Sequence, residues 1–548
     1  MLLNLPQDAW SSISLHLCTP DVLALLSTHR TINQFLSSSP SFWTQLLARD
    51  RDESYDNESN HGRRCVQDIR REFMLHSYTS ALPSVKWLPL NINRTFPVSP
   101  REGHVSCVLT GPENYKSLVV TGGFCDDDYV TVLSLPRGCD SHRQNWGWTR
   151  LRPINRASFA YGASLTALPP IDSGSATVNI AKAVRFGGFR GGGYSQETNE
   201  VWVLTIRDEW NEESGASQTA HWEKIETTGA FLPLGRAYHT ATLIHDRYLV
   251  IIGGMTSEGS VMEEAILDTQ TWTWNDISLA TTGYPRGRHG HSVVLDGRRN
   301  RLVMFGGGSG TDLLRSGVDN TEVWELKMRG IEVPINLDNS RLWEWSKLHG
   351  NAIPVENRSE SGDDSDSEDD EMKDASNYNP ENDLSPAESL CLGRCHNGLK
   401  VSPDTVLLMF GGGRTNTNGV LAYNLRADTF FRPKVLGPLP LPRFTGIASF
   451  LDTEGYVFVH GGFNTNLSDT IHDIHLLDVA PYLERDFTAL PVDRLRESNS
   501  AVTDEDAESG HYVVRGFLDE AVLARFVWGA SWERLVFEGG EGERSRGR

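Results

Sequence analysis

Cysteine, long apolar runs and basic charge are scarce in this 548-residue sequence, and each scarcity excludes a class of protein. None of the seven cysteines forms a CxxC pair, which fits free thiols in a reducing compartment. CLGRCH at 391–396 lacks a second ligand pair, so we predict no metal or other cofactor. No run is long enough to span a membrane, and MLLNLPQDAW does not resemble a signal sequence. We therefore expect a cytoplasmic or nuclear protein without a membrane partner.

Acidic residues outnumber basic ones by 72 to 51, and the net charge of -21 argues against nucleic acid as the main partner. Much of this charge lies in residues 356–383, where twelve acidic residues accompany only Arg358 and Lys373. The segment lacks apolar periodicity and is predicted to be disordered. Ser365 and Ser367 within it are candidate phosphorylation sites. It is either a solvated loop or a segment that competes with an acidic ligand.

Glycine is abundant, and six Gly-Gly pairs each follow a short apolar run typical of a buried strand. Each pair precedes a second strand, and an Arg-led strand begins each unit. Four units add a Trp-led strand, and the fifth has FFRPKVL in its place. A lone four-stranded sheet would expose an apolar face, whereas six sheets packed around an axis bury these faces. The sequence therefore predicts a mainly β protein, a six-bladed propeller. The pairs end at Gly123, Gly188, Gly254, Gly307, Gly412 and Gly462.

The repeated order of strands resembles the kelch repeat over residues 85–480. The sixth unit has no obvious fourth strand, whereas VKWLPLN at Val85–Asn91 is a Trp-led strand without a unit. We predict that this segment completes the last blade and closes the ring. WERLVF at Trp532 is the alternative. Residues 481–548 form a C-terminal extension with either one helix or two strands.

The first fifty residues have apolar residues at helical spacing and resemble an F-box over residues 4–48. F-box/kelch proteins are substrate receptors of SCF (Skp-cullin-F-box) ubiquitin ligases. The resemblance implies a Skp-type adaptor and, through it, a cullin as partners. Residues 51–84 are expected to be a linker with a spacer helix. For the F-box-like residues, the alternative is a small self-contained helical core. The resemblance assigns adaptor binding to Leu5, Pro6, Ile13, Leu17, Pro20, Leu23 and Trp43.

The same resemblance extends to the plant and algal proteins that join a LOV domain to an F-box and a kelch propeller. No LOV domain precedes the F-box in this sequence, so light sensing is not expected. His29 and Ile32 stand where many F-boxes have Cys and Trp.

Aligning the six Arg-led strands predicts a ring of guanidinium groups at the channel mouth. Guanidinium binds carboxylate and phosphate in a bidentate manner, so the predicted ligand is a protein with an acidic or phosphorylated motif. The alternative is structural pairing with acids of the blades. His104, His239 and His291 recur three residues later and are predicted to form buried hydrogen bonds rather than a metal site. The candidate ligand-binding residues are Arg101, Arg156, Arg236, Arg288, Arg394 and Arg443.

Three functions remain open at this stage. The favoured one is a non-catalytic receptor subunit of an SCF-type ligase. The second is a kelch scaffold unconnected with ubiquitin. The third is a propeller-based enzyme, for which the sequence offers neither a nucleophile motif nor a phosphate loop.

Overall fold

Six sheets, five of four strands and one of five, form a ring in the described part of this computed structural model. The innermost strand of each sheet contacts the innermost strands of its two neighbours, so the sheets surround a central channel. The predicted six-bladed propeller is confirmed. The described residues are 42–43, 45–46, 66–90, 98–111, 116–124, 129–135, 147–158, 160–171, 178–190, 196–211, 215–229, 231–276, 283–310, 320–328, 343–349, 392–412, 416–452 and 455–481.

Blades one to five follow chain order, and each runs from its innermost to its outermost strand. Blade one contains β2 (Val105–Thr110), β3 (Lys116–Thr121), β4 (Val130–Ser134) and β5 (Gly147–Leu151). Blade two contains β6 (Ser164–Ala167), β7 (Val178–Phe186), β8 (Val201–Asn211) and β9 (Gly215–Ile225). Blade three contains β10 (Thr240–Ile244), β11 (Tyr248–Thr256), β12 (Gly259–Asp268) and β13 (Thr273–Asp276). Blade four contains β14 (Ser292–Asp296), β15 (Arg301–Phe305), β16 (Val323–Met328) and β17 (Trp343–His349). Blade five contains β18 (Asn397–Lys400), β19 (Thr405–Met409), β20 (Val420–Asn424) and β21 (Thr429–Phe431).

Blade six is completed by a strand from the other end of the chain. It contains β23 (Ile447–Leu451), β24 (Tyr456–His460), β27 (Ile474–Asp478) and, as its fourth strand, β1 (Ser84–Leu90). β1 pairs antiparallel with β27, from Lys86 opposite Asp478 to Leu90 opposite Ile474. The predicted closure by this segment is confirmed, and the alternative at Trp532 lies outside the described residues. The short β22 (Lys434–Leu436) covers the outer edge of β1, and β25 (Phe463–Asn464) pairs with β26 (Asp469–Thr470).

Six apolar cores hold the ring together, one at each interface between neighbouring blades. Side chains alternate across each strand, so a strand buried on both faces serves two interfaces. In β11, Leu249 and Ile251 pack towards blade two, whereas Val250 and Ile252 pack towards blade four. This double burial explains why the runs before the glycine pairs are continuously apolar.

Aromatic residues of the fourth strands pack onto the preceding blade. The ring centroids of Trp274 in β13 and Phe186 in β7 lie 5.2 Å apart. In the closing strand, Trp87 is fully buried and lies 5.6 Å from Phe410 of blade five. The repeated tryptophan is therefore a contact between blades rather than a surface for ligands.

Helix α1 (Val66–Ala81) leads directly into the closing strand. It ends where Leu82 adopts a φ of 39° and Pro83 follows, since neither residue continues a helix readily. Thr405 donates a hydrogen bond of 2.8 Å to the carbonyl of Ser80, so the helix is held against blade five. The predicted spacer helix is thus docked on the propeller.

Among the described residues, no helix has both the length and the apolarity that crossing a membrane requires.

Several predicted features lie outside the described residues. They are most of the F-box segment, the acidic segment 356–383 with Ser365 and Ser367, and residues 482–548.

Replacing the closing tryptophan should open the ring at its seam. We expect Trp87→Ala to lower the free energy of unfolding by about 3–5 kcal/mol, because it removes a buried aromatic side chain from the core between blades five and six. Urea denaturation measures the change. The control is Lys86→Ala on the opposite side of β1, where we expect a much smaller loss. Equal losses for both variants would contradict the role of β1 as the structural closure.

Candidate functional site

One face of the propeller carries both the turns that follow the glycine pairs and the connections between blades. In an antiparallel blade, the start of the first strand, the end of the second and the end of the fourth lie at the same edge. We call this the entry face. The opposite face carries the turns between first and second strands, where Thr405 contacts α1. Helix α1 and the entry face are therefore on opposite sides of the ring.

Six inner strands are each preceded by a residue in the left-handed region, with φ between 53° and 65°. The N–H of five of these residues donates to the carbonyl of the equivalent residue in the preceding blade, at 2.7–3.0 Å. Gly103 needs to be glycine because a Cβ there would lie 2.4 Å from the ring of Tyr161. The mouth of the channel is thus a fixed ring of backbone bonds. Its members are Gly103, Gly162, Tyr238, Gly290, Cys395 and Thr445.

Four of the six predicted arginines occupy one equivalent position, two residues before this ring. They are Arg101, Arg236, Arg288 and Arg443, and each is 0 % exposed. Each guanidinium donates to the carbonyl of the first glycine of its own blade, at 2.9–3.2 Å. Three of them also pair with a carboxylate in or directly before the third strand, namely Glu263, Glu322 and Asp473. These arginines therefore bind the first three strands of a blade to one another.

The predicted ring of six ligand-binding guanidinium groups does not form. The four equivalent arginines are buried within their blades, and Arg394 is shifted by one residue, to the position that His289 occupies in blade four. In blade two, Ala160 takes the equivalent position, and Arg156 lies exposed in the loop before it. Because neighbouring residues point in different directions, a shift of one residue along the chain takes an arginine out of the buried position that the four equivalent arginines share.

Blade two replaces its missing arginine from a neighbouring strand. Arg185 in β7 donates to the carbonyl of Ser158 at 2.8 Å, in the place where Arg236 donates to the carbonyl of Leu234. Burial raises the pKa of Glu200, but hydrogen bonds from Lys224, Arg190, Trp202 and Ser158 outweigh this and lower it to about 2. The sequence pattern missed Arg185 because it lies on the second strand instead of the first.

The predicted histidines form hydrogen bonds between blades. The imidazole Nε2 of His239 lies 2.8 Å from Ser164 Oγ of blade two, and that of His291 lies 3.2 Å from Thr240 Oγ1 of blade three. His104 Nε2 lies 3.1 Å from His460 Nδ1, across the seam between blades one and six. In blade five, His396 makes the equivalent contact to Ser292 of blade four. The sequence alignment missed this residue because it assigned Asn397 to the position.

Burial lowers the pKa of each of these buried imidazoles. It lowers the pKa of His239 and of His460 to about 3, and that of His396 to about 4. They are therefore neutral, so each ring has one donor and one acceptor for its interblade contacts. Among the described residues, no group of three or more His, Cys, Asp or Glu side chains is arranged to hold a metal ion.

An aromatic cluster from blades two, three and six lies at the entry face. Tyr161, Phe189 and Phe444 are buried there, and Tyr238 and Phe463 pack against them. Tyr161 and Tyr238 meet edge to face, with centroids 5.6 Å apart. The cluster therefore joins the entry-face turns of these blades to one another.

The loops of the entry face carry exposed apolar side chains. Nine large apolar side chains of the described residues are strongly exposed, and eight of them belong to the connections between blades or to the turns after the glycine pairs. Such a concentration on one face is typical of a protein interaction surface. The eight are Phe124, Ile154, Leu232, Leu234, Tyr284, Leu439, Leu441 and Leu467.

Trp43, one of the predicted adaptor contacts, is buried inside the chain itself. Its side chain is 0 % exposed, and its ring lies 5.2 Å from that of Phe42 and 5.5 Å from that of Phe73 in α1. The side chain therefore joins the N-terminal helical residues to α1, and adaptor contact by Trp43 stays a prediction. The other six predicted adaptor contacts lie outside the described residues.

Comparisons with known proteins agree with this architecture. The family model described as KLHDC2/KLHL20/DRC7 Kelch-repeats domain matches residues 68–307 and 216–361, together more than half of the chain. Adagio protein 3 of Arabidopsis thaliana is 30 % identical over 195 residues, which are 35 % of this chain and 26 % of that protein. Acyl-CoA-binding domain-containing protein 4 of the same plant is 25 % identical over 167 residues, 30 % of this chain and 22 % of that protein. The chain thus spans about a quarter of the length of these relatives.

The buried arginines should be essential for stability. We expect Arg288→Met to lower the free energy of unfolding by about 3 kcal/mol, because it leaves the Glu322 carboxylate and the Gly306 carbonyl without their guanidinium partner. Arg156→Met at the exposed position should change it by less than about 0.5 kcal/mol. Chemical denaturation of both variants tests the assignment, and a neutral Arg288→Met would refute it.

The buried histidines should make the protein unstable in mild acid. In the folded chain, the pKa values of these histidines lie far below the value of about 6.5 expected in the unfolded chain. As the pH falls below 6.5, these imidazoles therefore take up protons in the unfolded chain before they do so in the folded one. Stability should fall as the pH falls from about 6.5 to about 4, by about 1.4 kcal/mol per pH unit for each such histidine. Urea midpoints across this range measure the slope.

His239→Asn should reduce that slope by about one histidine's share. His245→Asn, the same substitution at an exposed turn position, serves as the control. A slope unaffected by His239→Asn would contradict the origin of the acid sensitivity.

Proposed function

The chain belongs to the kelch-repeat family, and we propose that it is the substrate-recognition subunit of an SCF-type ubiquitin ligase. The kelch propeller supplies a protein interaction surface. In this proposal, the N-terminal segment binds a Skp-type adaptor and, through it, a cullin, while the propeller binds the protein to be ubiquitinated. The chain itself has no catalytic role, and the complex acts in the cytoplasm or the nucleus.

The observation that carries the proposal is the attachment of the F-box-like segment to the ring. Trp43 packs on Phe73 of α1. Between the end of α1 and the closing strand β1 lie only Leu82 and Pro83. A receptor has to hold the adaptor and the substrate in a fixed relation, and this attachment supports such a relation. Adaptor binding is assigned to Leu5, Pro6, Ile13, Leu17, Pro20 and Leu23.

The entry face is the proposed substrate surface. Its exposed loops contain apolar anchors such as Leu234 and Leu441, and α1 occupies the opposite face. Exposed apolar side chains on loops favour an extended peptide or a protein loop as the ligand. Arg156 is exposed beside these loops and suits an acidic or phosphorylated group in the same ligand.

A kelch scaffold without a ubiquitin role is the second candidate. The burial of Trp43 favours it, because an internal contact of this kind suits a helical cap that needs no adaptor. Binding to the adaptor separates the two candidates.

Copurification of the full chain with a Skp-type adaptor tests the proposal. We expect the wild type to form a stable complex and Leu5→Ala/Pro6→Ala to lose it, since these residues match the apolar adaptor contacts. Leu2→Ala/Leu3→Ala makes a similar apolar truncation next to the motif and should keep the complex. Trp43 is left unchanged because its loss would disturb the contact with α1.

Three outcomes are distinguishable. Loss of the complex only in Leu5→Ala/Pro6→Ala supports the receptor. Equal loss in both variants points to unfolding of the segment and counts against a specific contact. No complex with a folded wild type overturns the ligase proposal and leaves the scaffold.

A further inference from the structure

Three cations gather around a single carboxylate at the entry-face end of blade two. Arg190, in the turn after the glycine pair, and Lys224 of β9 both bind the same oxygen of Glu200, Lys224 at 2.9 Å. The buried Arg185 donates to Ser158, and the Ser158 hydroxyl donates to the other oxygen of Glu200 at 2.9 Å. We name the three basic side chains the cation cluster.

Blade three shows the balanced form of this arrangement. There the buried Arg236 has a carboxylate of its own, Glu263. Among the described residues, the acceptors of Arg185 are the two oxygens of Ser158, and neither of them is charged. The cation cluster therefore shares Glu200, and three positive charges against one negative charge leave an excess at this end of blade two.

Glu200 has no capacity to accept more hydrogen bonds. Its second oxygen accepts from Ser158 at 2.9 Å and from Trp202 at 3.1 Å, so its two oxygens hold four donors. An arginine carries five N–H donors and a lysine three. The side chains of Arg190 and Lys224 are 45 % and 44 % exposed, so their further donors face solvent and are accessible to a ligand.

The other carboxylates nearby leave these donors open. Glu197 accepts from Ser257 of blade three at 2.8 Å. Glu226 acts on Lys224 through its charge, without forming an ion pair with it in the described part of the chain. An anionic group of a partner would therefore meet donors that this chain does not use.

An exposed apolar pair lies beside the cation cluster. Leu232 and Leu234 are 52 % and 60 % exposed, and Pro233 between them is buried. The side-chain amide of Asn199, the residue directly before Glu200, donates to the Pro233 carbonyl at 3.2 Å. This bond holds the two leucines in place, and a side chain that is already ordered loses less entropy on binding.

The cation cluster and the leucine pair together define the ligand. They are attached to consecutive residues, Glu200 and Asn199, so one short ligand reaches both. The cations require an anionic group, and the leucines require an apolar side chain next to it. The net charge of -21 disfavours nucleic acid, which leaves a segment of a protein as the ligand.

We propose that the entry-face end of blade two recognises a protein segment in which a carboxylate or phosphate group stands close to an apolar side chain. Arg190 and Lys224 are the specificity-determining residues for the anionic group, and Leu232 and Leu234 bind the apolar side chain. This inference rests on the proposed substrate surface and is independent of adaptor binding.

Retention of short peptide pools by the immobilised full chain tests the proposal. Each pool has random residues around one fixed central position, which is phosphoserine, glutamate or glutamine. We expect the phosphoserine pool, the glutamate pool or both to be retained at least about tenfold more than the glutamine pool, the factor of one charge-assisted hydrogen bond. The two anionic pools separate a phosphate ligand from a carboxylate ligand. Apolar residues should be enriched beside the fixed position in the retained peptides.

Arg190→Gln/Lys224→Gln should abolish the preference for the anionic pools. The matched control is Arg207→Gln/Lys327→Gln, which also removes two positive charges. These side chains are 50 % and 42 % exposed, and each pairs with one carboxylate towards the opposite face. The control should keep the preference. Thermal unfolding of both variants establishes that the propeller is intact.

The leucine pair has a matched control in the chain itself. The same Leu-Pro-Leu sequence stands before blade six, where a side-chain amide again donates to the proline carbonyl, at 2.9 Å. Leu232→Ala/Leu234→Ala should lose the enrichment of apolar residues, whereas Leu439→Ala/Leu441→Ala should keep it. Equal effects of the two variants would overturn the assignment of the apolar side chain.

No preference for either anionic pool in the wild type overturns the proposal, and so does an equal loss in the two charge variants. The adaptor experiment separates this inference from the ligase role. A wild type that forms the adaptor complex and lacks the preference overturns this inference alone. A wild type that shows the preference and forms no adaptor complex overturns the ligase role alone.

Discussion

A closed ring of backbone hydrogen bonds between neighbouring blades is the constraint on which the rest of the structure depends. In every blade, a glycine N–H after the second strand donates to a carbonyl at the start of the next blade, at 2.8–3.2 Å. The last of these bonds runs from Gly462 to Arg101 and joins blade six to blade one. The donor glycines adopt positive φ values, which residues with a Cβ reach only at a cost. The repeated glycine pair is therefore a requirement of ring closure.

Blade five shows how the ring tolerates a departure from the pattern. Its donor is Gly411, the first glycine of its pair, and Phe410 occupies the preceding position with a φ of 60°. The same blade has Gly393 two residues before Cys395 and Gly419 at the carboxylate position, so it lacks the arginine and its acid together. Losing both partners leaves no buried charge uncompensated, whereas losing one would. Blade two lost only the arginine, and Arg185 entered from the second strand.

The repeat architecture was predictable from the sequence because an apolar run, a glycine pair and a further strand recur six times in the same order. The closing strand was predictable for the same reason, since Val85–Asn91 had the right pattern and no unit of its own. The roles of the arginines were not, because Arg394 and Arg156 align by residue type and differ in register from Arg288. The role of Trp43 depended on α1, whose docking no local pattern reveals. Such roles depend on which side chains pack against one another in the folded chain. A single sequence does not show that packing.

The segment before blade one has a structural role in the ring, because it supplies the closing strand. β1 supplies the fourth strand of blade six, and Trp87 fills the core between blades five and six. A propeller that began at Val98 would expose the edge of β27 and the apolar side chains that β1 covers. Because α1 precedes β1 directly, any partner that shifts α1 acts on the seam of the ring. α1 and the ring are therefore mechanically coupled, and a partner that binds α1 is expected to act on β1.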